Sequence, residues 1–185
     1  MAKRGIQGAI MRGFGARDHS ATVVGTEWLA PNFLRVRMTS PTVFAEASVG
    51  PTAWLRFWFP DVDGGELEHQ RAYTLSEADP ATGAFAVDVV LHEPAGPASA
   101  WARAAEPGAT VPVMALGTTK FELPDEPPAG YLLVGDSASI PAITGIVEAV
   151  PAEGPLAPYP ELPGHADRPL PLPRTRRMET AGSAP

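Results

Sequence analysis

The sequence predicts a mainly β protein, a six-stranded antiparallel barrel followed by an incomplete α/β lobe. Three observations carry that prediction. Up to residue 124 the apolar residues fall in short alternating runs separated by turn residues, with a single short helical stretch late among them. At Tyr131 the pattern changes to an all-apolar run that ends in Gly-Asp and leads into a helical stripe. Residues 151–185 then hold nine of the chain's 22 prolines and show no apolar period.

The elements follow in order. HSATVVGTEW and FLRVRMTS are the first two strands; in the second, Phe33, Arg35, Arg37 and Thr39 face one way while Leu34, Val36 and Met38 face the other. TAWLRFWFP, after Pro51 and ending at Pro60, is the third, and DVDGGELEHQ is a loop. RAYTLS and GAFAVDVVLH are the fourth and fifth strands, with ADPATG turning between them. GPASAWARAA has a helix start, with glycine and then proline at its head, and TVPVMAL is the sixth strand. DEPPAG reads as a linker. YLLVGD reads as a buried parallel strand, and SASIPAITGIVEAV as a helix with Ile140, Ile143, Ile146, Val147 and Val150 on one stripe, Ser137 or Ser139 as its cap and Pro141 in its first turn. The proline-rich remainder is not expected to supply further parallel strands. The resulting organisation is a mobile N-terminal arm over 1–18, a barrel domain over 19–124, the start of an α/β lobe over 130–152, and a poorly ordered Pro/Arg-rich tail over 153–185. The arm carries four of the fourteen basic side chains, which also suits a cationic patch for an anionic ligand.

Composition removes several classes of function. A net charge of −7 argues against nucleic acid as a partner. With no cysteine there is no disulfide, thiolate metal site or thiol nucleophile. His19, His69, His92 and His165 lie too far apart for a zinc motif, so no metal site is expected. No apolar run approaches the roughly 18–20 residues of a membrane span, and Arg12 with its neighbouring glycines breaks any signal-peptide core. These features lead to the expectation of a cytoplasmic protein with no membrane partner, a monomer or weak dimer.

One constellation carries chemistry. On a strand Arg71 and Tyr73 share a face, with Ala72 between them and Thr74 next. A guanidinium pairs with phosphate oxygens, an aromatic ring offers a flat surface to a conjugated ring, and a threonine hydroxyl serves a polar ring edge. Gly96, Pro97 and Ser99 then open a helix whose free N–H groups favour an anion, with Gly96 allowing close backbone approach. A flat heteroaromatic ring joined to phosphate describes a flavin nucleotide.

RAYTL, VDVVLHEPAGPASAWA, a following PG, and YLLVGDSASIPAI together resemble the siderophore-interacting proteins, FAD-dependent ferric-siderophore reductases of the ferredoxin-reductase-like superfamily. VVGTEWLAPNFLRVRM is similar to that family's first barrel strands, so the resemblance spans roughly residues 20–150. It implies an FAD-binding barrel over 19–124 and the start of an NAD(P)-binding lobe from 130. It places Arg71, Tyr73 and Thr74 at the flavin phosphate, ring face and ring edge, with Ala72 among the cofactor-binding residues between them, the Val90–Leu91–His92 segment along the flavin, Gly96 to Ser99 at the pyrophosphate, and Trp101 at the tryptophan of the family's GP-x-x-x-W run. Asp136 falls where open α/β sheets bind ligands. His92 is the candidate proton donor; no residue is required as a nucleophile, because the cofactor carries the redox chemistry. The implied activity passes electrons from NAD(P)H, as co-substrate, through FAD to Fe(III) in a siderophore. GDSASIPA departs from the family's Gly-Asp-Glu-Thr-Ala-Leu-Pro-Ala, and the lobe looks truncated. The alternative is therefore a flavin-binding module or remnant without NAD(P)H-dependent activity.

Overall fold

The computed structural model describes residues 4–117, 121–151 and 155–161. Seven strands form one antiparallel sheet: β1 (His19–Ala30), β2 (Phe33–Thr39), β3 (Trp54–Pro60), β4 (Glu68–Thr74), β5 (Ser76–Asp79), β6 (Ala84–Val90) and β7 (Thr110–Met114), in the spatial order β4-β3-β7-β1-β2-β6-β5. The two strands at opposite edges, β4 and β5, are separated in sequence by Leu75 alone. A chain that leaves one edge and immediately joins the other curls the sheet into a barrel. The sequence-predicted strand RAYTLS is therefore two strands. β4 pairs with β3 up to Trp54↔Thr74, whereas Ser76 pairs with Ala86 of β6. Leu75 drops into the core between them, its N–H held by the Ala53 carbonyl at 2.7 Å. Six strands become seven because an alternating pattern does not show where a strand changes partners.

Alternation does place the core. Leu34, Val36 and Met38 of β2, Leu55, Phe57 and Phe59 of β3, and Phe85, Val87 and Val89 of β6 meet in one buried cluster, while Arg35, Arg37 and Thr39 face the other way. The β5–β6 turn is closed by Asp79, whose carboxylate accepts from the Ala81 N–H at 2.9 Å and the Thr82 hydroxyl at 2.7 Å. Gly83 completes it at φ +76°, where a Cβ would stand 2.5 Å from the Ser40 carbonyl oxygen. No other residue fits both the angle and the space.

Two helices follow the prediction. α2 (Pro97–Arg103) begins after Gly96, and α3 (Ile140–Ala149) is preceded by a 3-10 turn at Ser137–Ser139. Ser139 stands at the N-cap of α3 as expected but makes no side-chain capping bond, and the turn before it is capped by Asp136, whose carboxylate accepts from the Ser139 N–H at 3.0 Å and the Ser139 hydroxyl at 2.8 Å. A third helix, α1 (Gly5–Gly13), lies in the segment expected as an arm, and Arg4 before it pairs with Asp18 and Glu68.

The α/β lobe departs from expectation. β8 (Tyr131–Asp136) pairs in parallel with β9 (Leu156–Glu161), from Tyr131↔Leu156 to Asp136↔Glu161. Ile143 and Val147 of α3 pack with Val150 and Leu156, so the proline-rich segment does supply a parallel strand. Two prolines in LAPYPE obscure it, yet an edge strand tolerates proline because its outer N–H groups need no partner. The remainder of the expected tail, residues 162–185, lies outside the described residues.

Candidate functional site

β4, the end of β6 and the head of α2 converge on one cavity of about 350 Å³. Its walls include Arg71, Ala72, Tyr73 and Thr74 from β4, Val90 at the end of β6 and His92 beyond it, and Gly96, Pro97 and Ser99 at the head of α2. Nine of the twelve residues singled out in the sequence are thus brought together.

Each is held by identifiable contacts. Tyr73 lies edge-on to Phe57 and Phe59, at ring-centroid distances of 5.6 and 6.0 Å. Burial pushes its phenol up to about 12, partly offset by the neighbouring Arg71 charge. Arg71 is exposed; its guanidinium donates to the Gln70 carbonyl at 2.7 Å and has no carboxylate partner among the described residues. An unpaired cation at the rim of a cavity is available to an anion. His92 Nδ1 donates to the Pro94 carbonyl at 2.8 Å, which leaves Nε2 as the free ring nitrogen. That ring lies over Gly96: a Cβ there would stand 3.4 Å from His92 Cε1 and 3.6 Å from Nε2. The buried Ser99 hydroxyl donates to the Val90 carbonyl at 3.4 Å, which ties α2 to the end of β6.

Three predicted residues do not line this cavity. Leu91 is 3% exposed and belongs to the barrel core, because β6 alternation turns it inward. Trp101 packs on Phe59 at 5.4 Å, on the core side of α2. Asp136 is spent on capping the turn before α3. Asp88, Ala98, Ala138 and Pro141 line the cavity and were not singled out. Asp88 had a legible signal, a carboxylate inside the apolar run AFAVDVV. It stands opposite Arg35 on β2 and accepts two hydrogen bonds from it, at 2.7 and 2.8 Å, while Arg35 also donates to Glu77 at 2.7 Å. These bonds, Asp88's first, hold the Arg35 cation firmly charged, and Arg37 holds the Glu77 carboxyl below its usual range. Asp88 and Pro141 also line a second cavity of about 730 Å³ between the barrel and α3, whose walls include Arg35, Glu77, Thr144 and Glu148.

The first cavity fits a flavin nucleotide in the chemistry of its donors: an unpaired guanidinium, a threonine hydroxyl, a free imidazole nitrogen and an aromatic side chain beside a glycine that keeps the helix head open. Curled antiparallel sheet and site together define the class, a ferredoxin-reductase-like FAD-binding fold. Residues 61–118 match the family described as the siderophore-interacting FAD-binding domain, so the resemblance read from the sequence holds.

Relatives agree with that class. The "Mycobactin import ATP-binding/permease protein IrtA" of Mycobacterium tuberculosis is 59% identical over 176 residues, 95% of this chain and 20% of that protein. The "Ferric vibriobactin reductase ViuB" of Vibrio cholerae is 25% identical over 149 residues, 70% of this chain and 53% of that one. The chain thus spans a fifth of the length of the first relative and about half of the second. Among solved structures, a siderophore utilization protein from T. fusca superposes with TM-score 0.72 at 20% identity, covering 92% of this chain and 72% of the other. The siderophore-interacting protein SipS from Aeromonas hydrophila gives 0.68 at 24% identity, covering 86% and 65%. At these identities the superpositions establish the fold. No helix among the described residues is long and apolar enough to cross a membrane.

Proposed function

We propose that this chain is the flavin-binding unit of a ferric-siderophore reductase, using NAD(P)H as the electron source and Fe(III) in an organic chelate as the substrate. The observation that carries the reading is the convergence of Arg71–Thr74 with Gly96–Ser99 on one cavity, beside a larger one between the barrel and α3. The names of the relatives support the substrate class, since one is described by mycobactin import and another by ferric vibriobactin reduction.

Bound FAD supplies a two-electron acceptor for a nicotinamide hydride and a one-electron donor for Fe(III), so one NAD(P)H reduces two irons. The residues do the rest. Arg71 would hold phosphate through paired N–H donors, and Tyr73, whose buried phenol stays protonated, would offer its ring to the flavin. Thr74 would meet the polar edge of the ring, and the Nε2 of His92 would accept or return a proton while Nδ1 stays fixed on Pro94. Ser99 ties α2 to the end of β6, and Gly96, under the His92 ring, would leave the helix head open to the phosphate side. The larger cavity, with Arg35, Glu77 and Glu148 in its walls, has the size for the second substrate.

The test is anaerobic mixing of the FAD-loaded protein with NADH or NADPH, followed by a ferric siderophore and a ferrous-iron trap. Flavin bleaching followed by trapped Fe(II) supports the reading; a flavin that stays oxidised with both nucleotides rejects it.

A further inference from the structure

β8 and β9 form a two-stranded parallel sheet with one covered face. Tyr131, Leu133 and Leu156 pack with Ile143 and Val147 of α3 on that side. The alternate residues Leu132 and Val134 of β8, with Tyr159 of β9, point the other way and are 67%, 72% and 45% exposed. Val134 and Tyr159 are register partners, so the three make one apolar patch. Parallel strands are ordinarily buried on both faces. We propose that residues 163–177 of this same chain fold back across the open face as an extended strap, with Leu170 and Leu172 seated on Val134 and Leu132.

The sequence after β9 fits that place in its turn, its length and its charge. Pro163-Gly164, directly after Glu161 and Leu162, is a turn dipeptide that can reverse the chain. Residues 168–174 then read Arg-Pro-Leu-Pro-Leu-Pro-Arg. Proline at 169, 171 and 173 favours an extended backbone and removes the N–H groups that a sheet edge would use, so the run suits a face rather than the ladder. At about 3.1 Å per residue the seven residues span about 22 Å. β8, six residues long, spans about 20 Å. Tyr159 offers the kind of aromatic surface on which proline-rich segments dock.

The charges match at both ends. Alternation puts Asp136 and Glu161, which are register partners, on the open face at the end of the two strands, and Asp125 and Glu126 stand in the loop before β8. All four are exposed, and none has an ion pair among the described residues. A strap running antiparallel to β8 brings Arg168 to the first pair and Arg174, Arg176 and Arg177 to the second. A second copy stacked on the same face would instead set these carboxylates like against like. The strap is tethered to β9, so its closure is intramolecular and needs little intrinsic affinity. The expectation of a poorly ordered tail rested on its having no core of its own; here the sheet beneath supplies one. Asp136 also leads into the turn that carries Ala138 to the wall of the first cavity, so a seated strap steadies that wall.

The chain has no cysteine, so a single introduced thiol reports its own exposure. The test is the alkylation rate of Val134→Cys in the full chain. A seated strap should make it about tenfold or more slower than in the same reporter carrying Leu170→Ser and Leu172→Ser, or Arg168→Glu and Arg174→Glu, and high salt should speed it. Val24→Cys, at a position 60% exposed on β1 of the barrel, should label fast in every background. A second measurement does not depend on those tail variants: Val134→Cys with Leu170→Cys should close an intramolecular disulfide on mild oxidation, well ahead of Val24→Cys with Leu170→Cys. The proposal is overturned if Val134→Cys labels as fast as Val24→Cys in the full chain, if the leucine and arginine substitutions leave its rate unchanged, if the two cysteine pairs close equally, or if protection appears only with dimerisation in light scattering.

Discussion

Replacing Arg71 by alanine isolates the phosphate-binding role from the fold. The side chain is exposed, makes no ion pair among the described residues, and donates only to the neighbouring Gln70 carbonyl. β4 is held to β3 through the backbone ladder, with Arg71 opposite Phe57, and the ladder is indifferent to the side chain. Removing it should therefore change stability by no more than about 0.5 kcal/mol, as for an ordinary surface substitution. A charge-assisted hydrogen bond to phosphate is worth about 1.5–3 kcal/mol, so the FAD dissociation constant should rise by about ten- to a hundredfold. Arg71→Lys keeps the charge and loses the planar fork, and should fall between wild type and alanine. The assay is titration of FAD by its fluorescence change, with a thermal melt of each apoprotein as the control. An alanine variant that binds FAD like the wild type refutes the assignment, and so does one that loses FAD only because its melting temperature has collapsed.

Three further outcomes follow. Gly96→Val should weaken FAD binding by more than about tenfold with an unchanged circular dichroism spectrum, because the Cβ already approaches the His92 ring at 3.4 Å and the added methyls must press on it or enter the cavity; joint loss of fold and FAD would make the glycine structural. Gly145→Ala should lower the melting temperature by several degrees despite alanine's better helix propensity, since its Cβ would stand 2.3 Å from the Pro51 carbonyl oxygen and 2.9 Å from its Cα, so that the Pro51 backbone or α3 must shift; a higher melting temperature would show that α3 is not seated on that loop. Tyr73 titrates near 10 unfolded and about 12 folded, so its contribution is complete below pH 10 and is lost as pH rises towards 12; Tyr73→Phe should flatten that decline, and an identical pH profile would place the phenol in water.

The legible parts were those written in local chemistry. The turn at Gly96-Pro97, the alternation of Leu34, Val36 and Met38, and the stripe Ile143 to Val147 each follow from the period and the turn residues. Arg71 and Tyr73 could be placed on one strand face because pairing does not change which way alternate side chains point. What stayed hidden depended on partners distant in sequence. The division at Leu75 exists because β4 and β5 belong to opposite sheet edges, and β9 exists because β8 offers it a ladder despite Pro158 and Pro160. Trp101 was assigned by position in a motif, yet the side of α2 it occupies is decided by Phe59. Asp88 was passed over because its value lies in Arg35, more than fifty residues away and directly opposite on β2. The helix α1 was read as an arm because its glycines lower its own propensity; its contacts with Trp58 and Glu68 are tertiary.

The most direct test of the central claim, that this barrel holds FAD and passes its electrons to chelated iron, is the visible spectrum of the FAD-loaded protein followed anaerobically through two additions. NADH or NADPH should bleach the flavin bands, and a ferric siderophore should then restore them with two Fe(II) trapped per nucleotide oxidised. A chain that takes up no FAD, or a bound flavin that neither nucleotide reduces, would contradict the account.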